Sequence, residues 1–532
     1  MACYGVHPLA RNVVMSDPYS RRRFIQTGTA LLSAPAFLIG CGSRPAQQAT
    51  VAPAVAATPD NPFLEWFSID EARLRRVLAE LGSRGADHAE LYFQHSRSNS
   101  ISMEDGLISS AHANVDLGVG LRVIIGDQVG YAYTEDLGEE AMLEAARSAA
   151  AIARGSAVST PASFTAASPG RFYELRVPWS DVEVDAKLPI IRRAAELAEA
   201  GDPAVDKVRV SWNDTDERVL IVDLQGQMIV DRRPMTRLYV VTNATKKGVV
   251  QTGSSNLAAR QGVGWYTEER LQTVAREAVD RTMVLFDARQ PPAGELPVVL
   301  AAGASGILLH EAIGHGMEAD FNRKNTSIYA DMIGKEVAPD FVTIVDDGTI
   351  PHERGALNYD DEGTPTERTV LVDRGVLASY LHDRISARHY GRKQSTGSGR
   401  RESFRHVPLP RMRCTTMLDG PHSREEIIAS VDKGIIAETF TNGQVQIGAG
   451  DFTFYIKNGW LVEGGKITAP IRDCNIIGNG PEALRKVTMA ANDSKLDTGG
   501  WTCGKDGQGV PVSQGLPTVL VSSMTVGGTS DA

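Results

Sequence analysis

Cysteine is scarce and scattered in this chain. The 532 residues hold five, Cys3, Cys41, Cys414, Cys474 and Cys503. None forms a C-x-x-C pair, which argues against a four-thiolate zinc knuckle, and five are too few for a disulfide scaffold. Positive charge is not in excess. Lys and Arg number 55 against 65 Asp and Glu, for a net charge of -10, so the basic footprint of a nucleic-acid binder is missing. Long apolar runs are missing too. The one candidate, residues 27–40, is short and broken by Gly28, Pro35 and Gly40, too little for a membrane span. No Walker A loop, nucleophile elbow or dinucleotide fingerprint occurs in usable context. What remains, 42% hydrophobic and 23% charged residues, is an ordinary soluble globular composition with room for two or three domains. Glycine, at 51 residues, suits a chain rich in strands and turns.

The first sixty residues read as an address. Ser20-Arg21-Arg22-Arg23-Phe24-Ile25-Gln26 resembles a twin-arginine export signal, and the short apolar run follows it. This predicts a signal peptide over 1–40, with Met15 as an alternative start. Leu38-Ile39-Gly40-Cys41 resembles a lipobox, which would make Cys41 a lipidation site and a membrane anchor. The alternative is an ordinary cleaved signal with a chance cysteine. Residues 41–62, mostly Ala, Pro, Thr and Gln, cannot build a core and read as a flexible tether.

The folded part is expected from about Phe63. Ser68 and Glu71 suggest a capping box, and Ile69, Leu74, Val77, Leu78 and Leu81 give a helical stripe. Strand-like runs follow, with hairpin turns at Glu104-Asp105-Gly106 and Gly126-Asp127-Gln128. Helices are expected near 139–154, 186–199 and 268–286, with strands between 207 and 266. Gln290-Pro291-Pro292-Ala293-Gly294 breaks the chain. The expectation is an α+β protein: an N-terminal domain of antiparallel sheets and helices over 63–290, and a β-rich C-terminal domain over 291–532.

The second domain opens with the stretch that carries chemistry, GILLHEAIGHGMEAD over 306–320. The familiar zinc-protease pattern is H-E-x-x-H, with histidines four apart on one helix face. His310 and His315 are five apart. On a regular helix that spacing turns the rings about 140° from each other. A π-turn brings them back to one side, and Gly314 and Gly316 leave the backbone freedom to form it. Either the pair binds a metal, or it is the polar face of a helix. Ile307, Leu308, Leu309 and Ile313 predict burial, and buried imidazoles need partners.

Five segments then resemble one family in order: HEAIGHGMEADFNRKNTS (310–327), VDDGTI (345–350), DDEGTP (360–365), GRRESFRHVPLPRM (399–412) and CGKDGQGVPVSQGLPTVLVSSMTVGGT (503–529). Together they resemble the TldD branch of the TldD/PmbA metalloproteases. The likeness is dense over the second half, looser over 63–290, and does not reach residues 1–62. It implies a Zn2+ held by His310, His315 and Cys503, with Glu311 as general base in peptide-bond hydrolysis by metal-activated water. Arg400, Arg401 and His406 are candidates to hold substrate or the oxyanion, with structural ion pairs as the alternative for the arginines. Glu318 or Asp320 could orient a ligand imidazole through its free N–H, with a solvated helix end as the alternative. Asp346, Asp347, Asp360, Asp361 and Glu362 read as tight turns, lacking calcium-loop spacing. The resemblance also implies an extended or unfolded polypeptide substrate. The assembly it implies is a homodimer or a heterodimer with a PmbA-like subunit. The export signal puts both in a periplasmic setting that the family does not usually occupy. The competing expectation is a non-catalytic, tethered peptide-binding partner subunit.

Overall fold

Two hairpins set the geometry of the N-terminal half. The computed structural model describes residues 61–152, 159–168 and 170–528. The twin-arginine segment, Cys41 and nearly all of the tether lie outside them. Asp105 and Gly106, at φ 49° and 75°, join β1 (His88–Glu104) to β2 (Leu107–Ile125). Positive φ at both turn positions matches the right-handed twist of the strands. Gly126 and Asp127 likewise join β2 to β3 (Gln128–Thr134). The runs that the sequence separates at polar residues are continuous strands. With β4 (Thr165–Ala166), β5 (Val205–Asp223), β6 (Gln227–Lys246) and β7 (Val249–Ala259) they form one sheet in the order β3-β2-β1-β5-β6-β4, with β7 on β6. The strands are long enough to carry two cores. At one end α2 (Glu71–Leu81) and α3 (Glu139–Ile152) pack on Leu91, Phe93, Leu121 and Val222. At the other end α4 (Val184–Glu199) and α5 (Glu268–Met283) pack on Val210, Trp212, Leu238 and Val240.

The start of α2 departs from expectation. Its cap is Asp70, which accepts from Arg73 N at 2.8 Å. Ser68 instead ends a preceding helix, α1 (Pro62–Phe67), in the left-handed conformation.

The C-terminal half is built on a second sheet that closes on itself. The strands β8 (Gly294–Leu300), β15 (Lys433–Gln446), β16 (Asp451–Glu463), β17 (Lys466–Ile471), β18 (Cys474–Asn479), β19 (Val487–Ala490) and β24 (Val519–Gly527) belong to it. The order is β15-β8-β24-β18-β16-β17, and β16 also pairs with β15, which closes the ring. Helix α9 (Arg424–Ala429) covers one side through Ile427. A six-stranded sheet stands beside it, comprising β9 (Ile344–Asp347), β10 (Arg368–Asp373), β11 (Val376–Leu377), β14 (Cys414–Met417), β20 (Lys495–Leu496) and β23 (Ser513–Leu516). Two small hairpins complete the half: β12 (Gly399–Arg400) with β13 (Leu409–Pro410), and β21 (Thr502–Lys505) with β22 (Gln508–Pro511). The short helix α6 (Gly306–Leu309) touches β14, β15 and β23, so it is wedged between ring and sheet. Its Ile307, Leu308 and Leu309 join the largest core. No described helix is long and apolar enough to cross a membrane.

Candidate metal centre

The chain leaves α6 by widening. Residues His310–Gly314 form one π-helical turn, followed by a tight 3-10 turn over His315–Met317. The wide turn places the two imidazoles side by side, with ring centroids 5.1 Å apart and planes at 85°. Gly314 serves this turn differently from the expectation. Its φ of -59° and ψ of -49° are ordinary helical values that any residue adopts. The requirement is space, because a Cβ on Gly314 would lie 2.0 Å from Met412 Sδ.

The β21–β22 hairpin brings Cys503 to the same point from 188 residues away, with Sγ 3.3 Å from His315 Nε2. One ligand atom each from His310, His315 and Cys503 can be chosen so that all three lie within 4.8 Å of one another. All three residues are buried. Among the described residues neither ring nitrogen of His310 has a hydrogen-bond partner. A buried imidazole left so costs desolvation with no return, and a cation accepting its lone pair removes that cost. Burial raises the Cys503 thiol, but His310 and His315 outweigh it and hold it well below the usual thiol value. Two imidazoles and a thiolate form a donor set suited to zinc, so the residues present fit the ion.

The ring of His315 is fixed from behind. Its Nδ1 pairs with Glu318 Oε2 at 3.0 Å, which leaves Nε2 directed at Cys503. Glu318, not Asp320, therefore orients the imidazole. Burial opposes ionisation of Glu318, yet Lys505 and His315 hold its carboxyl at about 2. Lys505 Nζ lies 3.1 Å from Glu318 and 2.7 Å from Asp320, so Asp320 serves the ammonium rather than a histidine. Arg411 Nη2 donates to the Cys503 carbonyl at 2.6 Å and fixes the hairpin. Lys505 and Arg411 are not among the site residues expected from the sequence. The signal for Lys505 was available: it stands two residues after Cys503 in an extended segment, hence on the same buried face. Glu311 is the site residue with open access. Its side chain is 21% exposed, and Oε2 lies 3.9 Å from His315 Nε2.

The arginines expected to contact substrate face elsewhere. Arg401 is fully buried, pairs with Glu90, and donates to the Asp361 carbonyl at 2.8 Å. Its guanidinium lies 4.3 Å from the Tyr92 ring centroid. The structural ion pair is the alternative this geometry supports. Arg400 donates to the carbonyls of Met412 (2.5 Å) and Pro511 (2.7 Å), behind the Cys503 hairpin. His406 Nδ1 lies 3.2 Å from Ser403 Oγ. The acidic residues read as turns do more than turn the chain. Asp361 pairs with Arg233, Glu362 with Arg122, and Asp346 with Arg413, all in the interior. Cys414 and Cys474 are free, buried thiols.

Comparison with known proteins agrees with this architecture. The chain matches the PmbA/TldA metallopeptidase domain 1 over residues 89–153, the central domain over 177–286 and the C-terminal domain over 293–528. It is 38% identical over 478 residues to a Haemophilus influenzae protein named metalloprotease TldD homolog, covering 88% of this chain and 99% of that one. A Saccharolobus solfataricus protein named zinc metalloprotease TldD homolog is 26% identical, covering 84% and 97%. In fold the chain is similar to TldE from Thermococcus kodakarensis, with a TM-score of 0.66 and 19% identity over 86% of this chain and 99% of that one. The chain belongs to the PmbA/TldD metallopeptidase family.

Proposed function

We propose that this chain is a zinc-dependent peptidase that hydrolyses unfolded or extended polypeptides, with Glu311 as general base. The observation that carries the reading is His310, buried beside Cys503 and His315 with neither ring nitrogen hydrogen-bonded among the described residues. His310, His315 and Cys503 would hold the ion. Bound there, zinc supplies a Lewis acid that lowers the pKa of water toward about 7 and polarises a carbonyl. The residues of the chain do the rest. Glu311 is adjacent to His310 and partly open to solvent, so its carboxylate can take the proton of the attacking water and pass it to the leaving nitrogen. Glu318, itself held by Lys505, pairs with His315 Nδ1 and would leave Nε2 as the nitrogen that holds the ion. The full chain, assayed for zinc and mixed with unstructured peptides, should bind one zinc per chain and cleave. Glu311→Ala should bind zinc and not cleave. Cleavage surviving in Glu311→Ala would reject the role of Glu311, and a wild type that binds no zinc would reject the metal.

We also propose that the chain is exported. Ser20–Gln26 and Cys41 support a protein carried folded across the inner membrane and tethered by lipid on the periplasmic side. Intact mass of detergent-extracted protein tests it, and an unmodified N-terminus elsewhere would end it. A dimeric state, with itself or with a PmbA-like subunit, is tested by mass in solution.

A further inference from the structure

We propose that a cleft beside the metal centre, built around Arg237, recognises a carboxylate of the substrate, foremost the free C-terminal carboxylate of a peptide. The inference rests on the peptidase reading and adds substrate selection to it. The cleft has a volume of about 490 Å³ and lies between β6–β7 of the N-terminal sheet and β15–β16 of the ring. Trp501, one of its walls, is two residues from Cys503, roughly 7 Å of extended chain. Both ring strands that line it also pack against the π-turn. Trp501 and these two strands thus connect the cleft to the metal centre.

The charge of the cleft is unbalanced. Four cations line it, Arg209, Arg237, Arg281 and Lys457, against two carboxylates, Glu277 and Asp497. Both carboxylates are engaged: Glu277 by Ser255 Oγ at 2.7 Å and Arg281 at 3.3 Å, and Asp497 by Trp501 Nε1. Among the described residues no carboxylate lies within ion-pair distance of Arg209, Arg237 or Lys457. Arg354 adds to the imbalance from behind. It is buried, donates Nη2 to the Trp501 carbonyl at 3.1 Å, has no carboxylate partner among the described residues, and leaves Nε without any partner.

Arg237 is held as a recognition group. Its Nε donates to Asn256 Oδ1 at 3.2 Å, and its guanidinium carbon lies 5.0 Å from the Tyr239 ring centroid. Asn256 Oδ1 also accepts from Gly500 N at 2.6 Å, which ties Arg237 to the segment running into Cys503. Among the described residues Nη1 and Nη2 have no partner. Other arginines of the interior differ on that point: Arg122, Arg233, Arg401 and Arg413 each hold a carboxylate, and Arg400 and Arg411 donate through Nη to backbone carbonyls. A half-buried guanidinium, fixed at Nε and over its face with the fork free, suits bidentate capture of a carboxylate.

The test uses the full chain carrying Glu311→Ala and three dye-labelled, unstructured peptides of one neutral sequence. The first ends in the free acid, the second in the amide, and the third is the amide with a single Glu near its end. Binding is read by fluorescence anisotropy. The free acid should bind about tenfold or more tightly than the amide, and Arg237→Gln should erase the difference. If the Glu-bearing amide binds like the free acid and loses affinity equally, the carboxylate is recognised whatever its source, and selection of the terminus is overturned. Equal binding of all three, no binding, or discrimination that survives Arg237→Gln overturns the proposal. Should Arg237→Gln fail to fold, the pair Arg209→Gln and Lys457→Gln must weaken the same discrimination. Cleavage of the same peptides by the wild type separates the two readings. Discrimination without cleavage sinks the peptidase and leaves the cleft, and cleavage without discrimination does the reverse.

Discussion

At the scale of single residues, the metal centre is defined by a cost. His310 is buried, and among the described residues neither of its nitrogens has a hydrogen-bond partner, a situation that costs about 1–3 kcal/mol per unsatisfied group. Zinc binding to the folded chain should therefore raise its melting temperature. Cys503→Ser should lose most of that rise and most of the bound zinc, read by metal analysis beside thermal melts. Glu318→Gln keeps a hydrogen-bonding group at His315 but removes the charge that both His315 and Lys505 face. Its zinc affinity should fall about 10–100-fold in chelator competition, and an unchanged affinity would reject its orienting role. The histidine pair and Glu311 were legible because they are neighbours in sequence. Glu318 was legible only as one of two candidates. The choice between it and Asp320 depends on where Lys505 arrives from, 185 residues further on.

At the scale of elements, the π-turn depends on room as much as on backbone preference. Gly314→Ala should destabilise the fold by about 1–3 kcal/mol by overpacking against Met412. Met412→Ala in the same chain should recover part of the loss in denaturant unfolding, and independent effects of the two changes would contradict the contact. Helix α8 (Arg384–His389) offers a pH test. Its cap, Asp383, accepts from Ser386 N at 2.8 Å. Burial and then the facing Glu362 push its carboxyl up to about 6. A folded-state value above the unfolded one favours the protonated fold. Its stabilisation is thus fully present below about pH 4 and lost as the pH rises through about 6. Asp383→Asn keeps the cap and carries no charge. Its stability relative to wild type should grow between pH 4 and 7 by on the order of 2 kcal/mol. A difference flat across that window would remove Asp383 from the account. The four longer helices and both hairpin turns were legible, the helices from apolar spacing and the turns from Asp105-Gly106 and Gly126-Asp127, whereas short helices such as Pro62–Phe67 and Arg384–His389 were not. The continuity of β1, β5 and β6 was not, because polar residues inside long strands face solvent or buried charges rather than ending the strand.

At the scale of the molecule, the N-terminal sheet and the C-terminal loops meet through buried charge. Glu90 on β1 receives both Arg122 and Arg401, Arg122 also holds Glu362, and Arg233 holds Asp361. Burial opposes ionisation of Glu90, but Arg122, His88 and Arg401 together hold its carboxyl well below the usual range. Arg401→Met would leave Glu90 and the Asp361 carbonyl short of a donor in the interior. It should cost about 3–5 kcal/mol and leave zinc content at one per chain. Normal stability with lost turnover would return Arg401 to the chemistry.

The sequence by itself determined the longer helices, the hairpin turns, the histidine pair with its adjacent glutamate, and through ordered motifs the family, because these are local patterns of spacing and residue type. Only the tertiary structure decided that Cys503 meets His315 across 188 residues, that Lys505 selects Glu318 as the orienting carboxylate, and that the acidic turns are a buried joint. It also left Arg237 Nη1 and Nη2 without a partner among the described residues. Each of these is an encounter between distant segments, and which charge meets which is fixed by packing, not by local order along the chain.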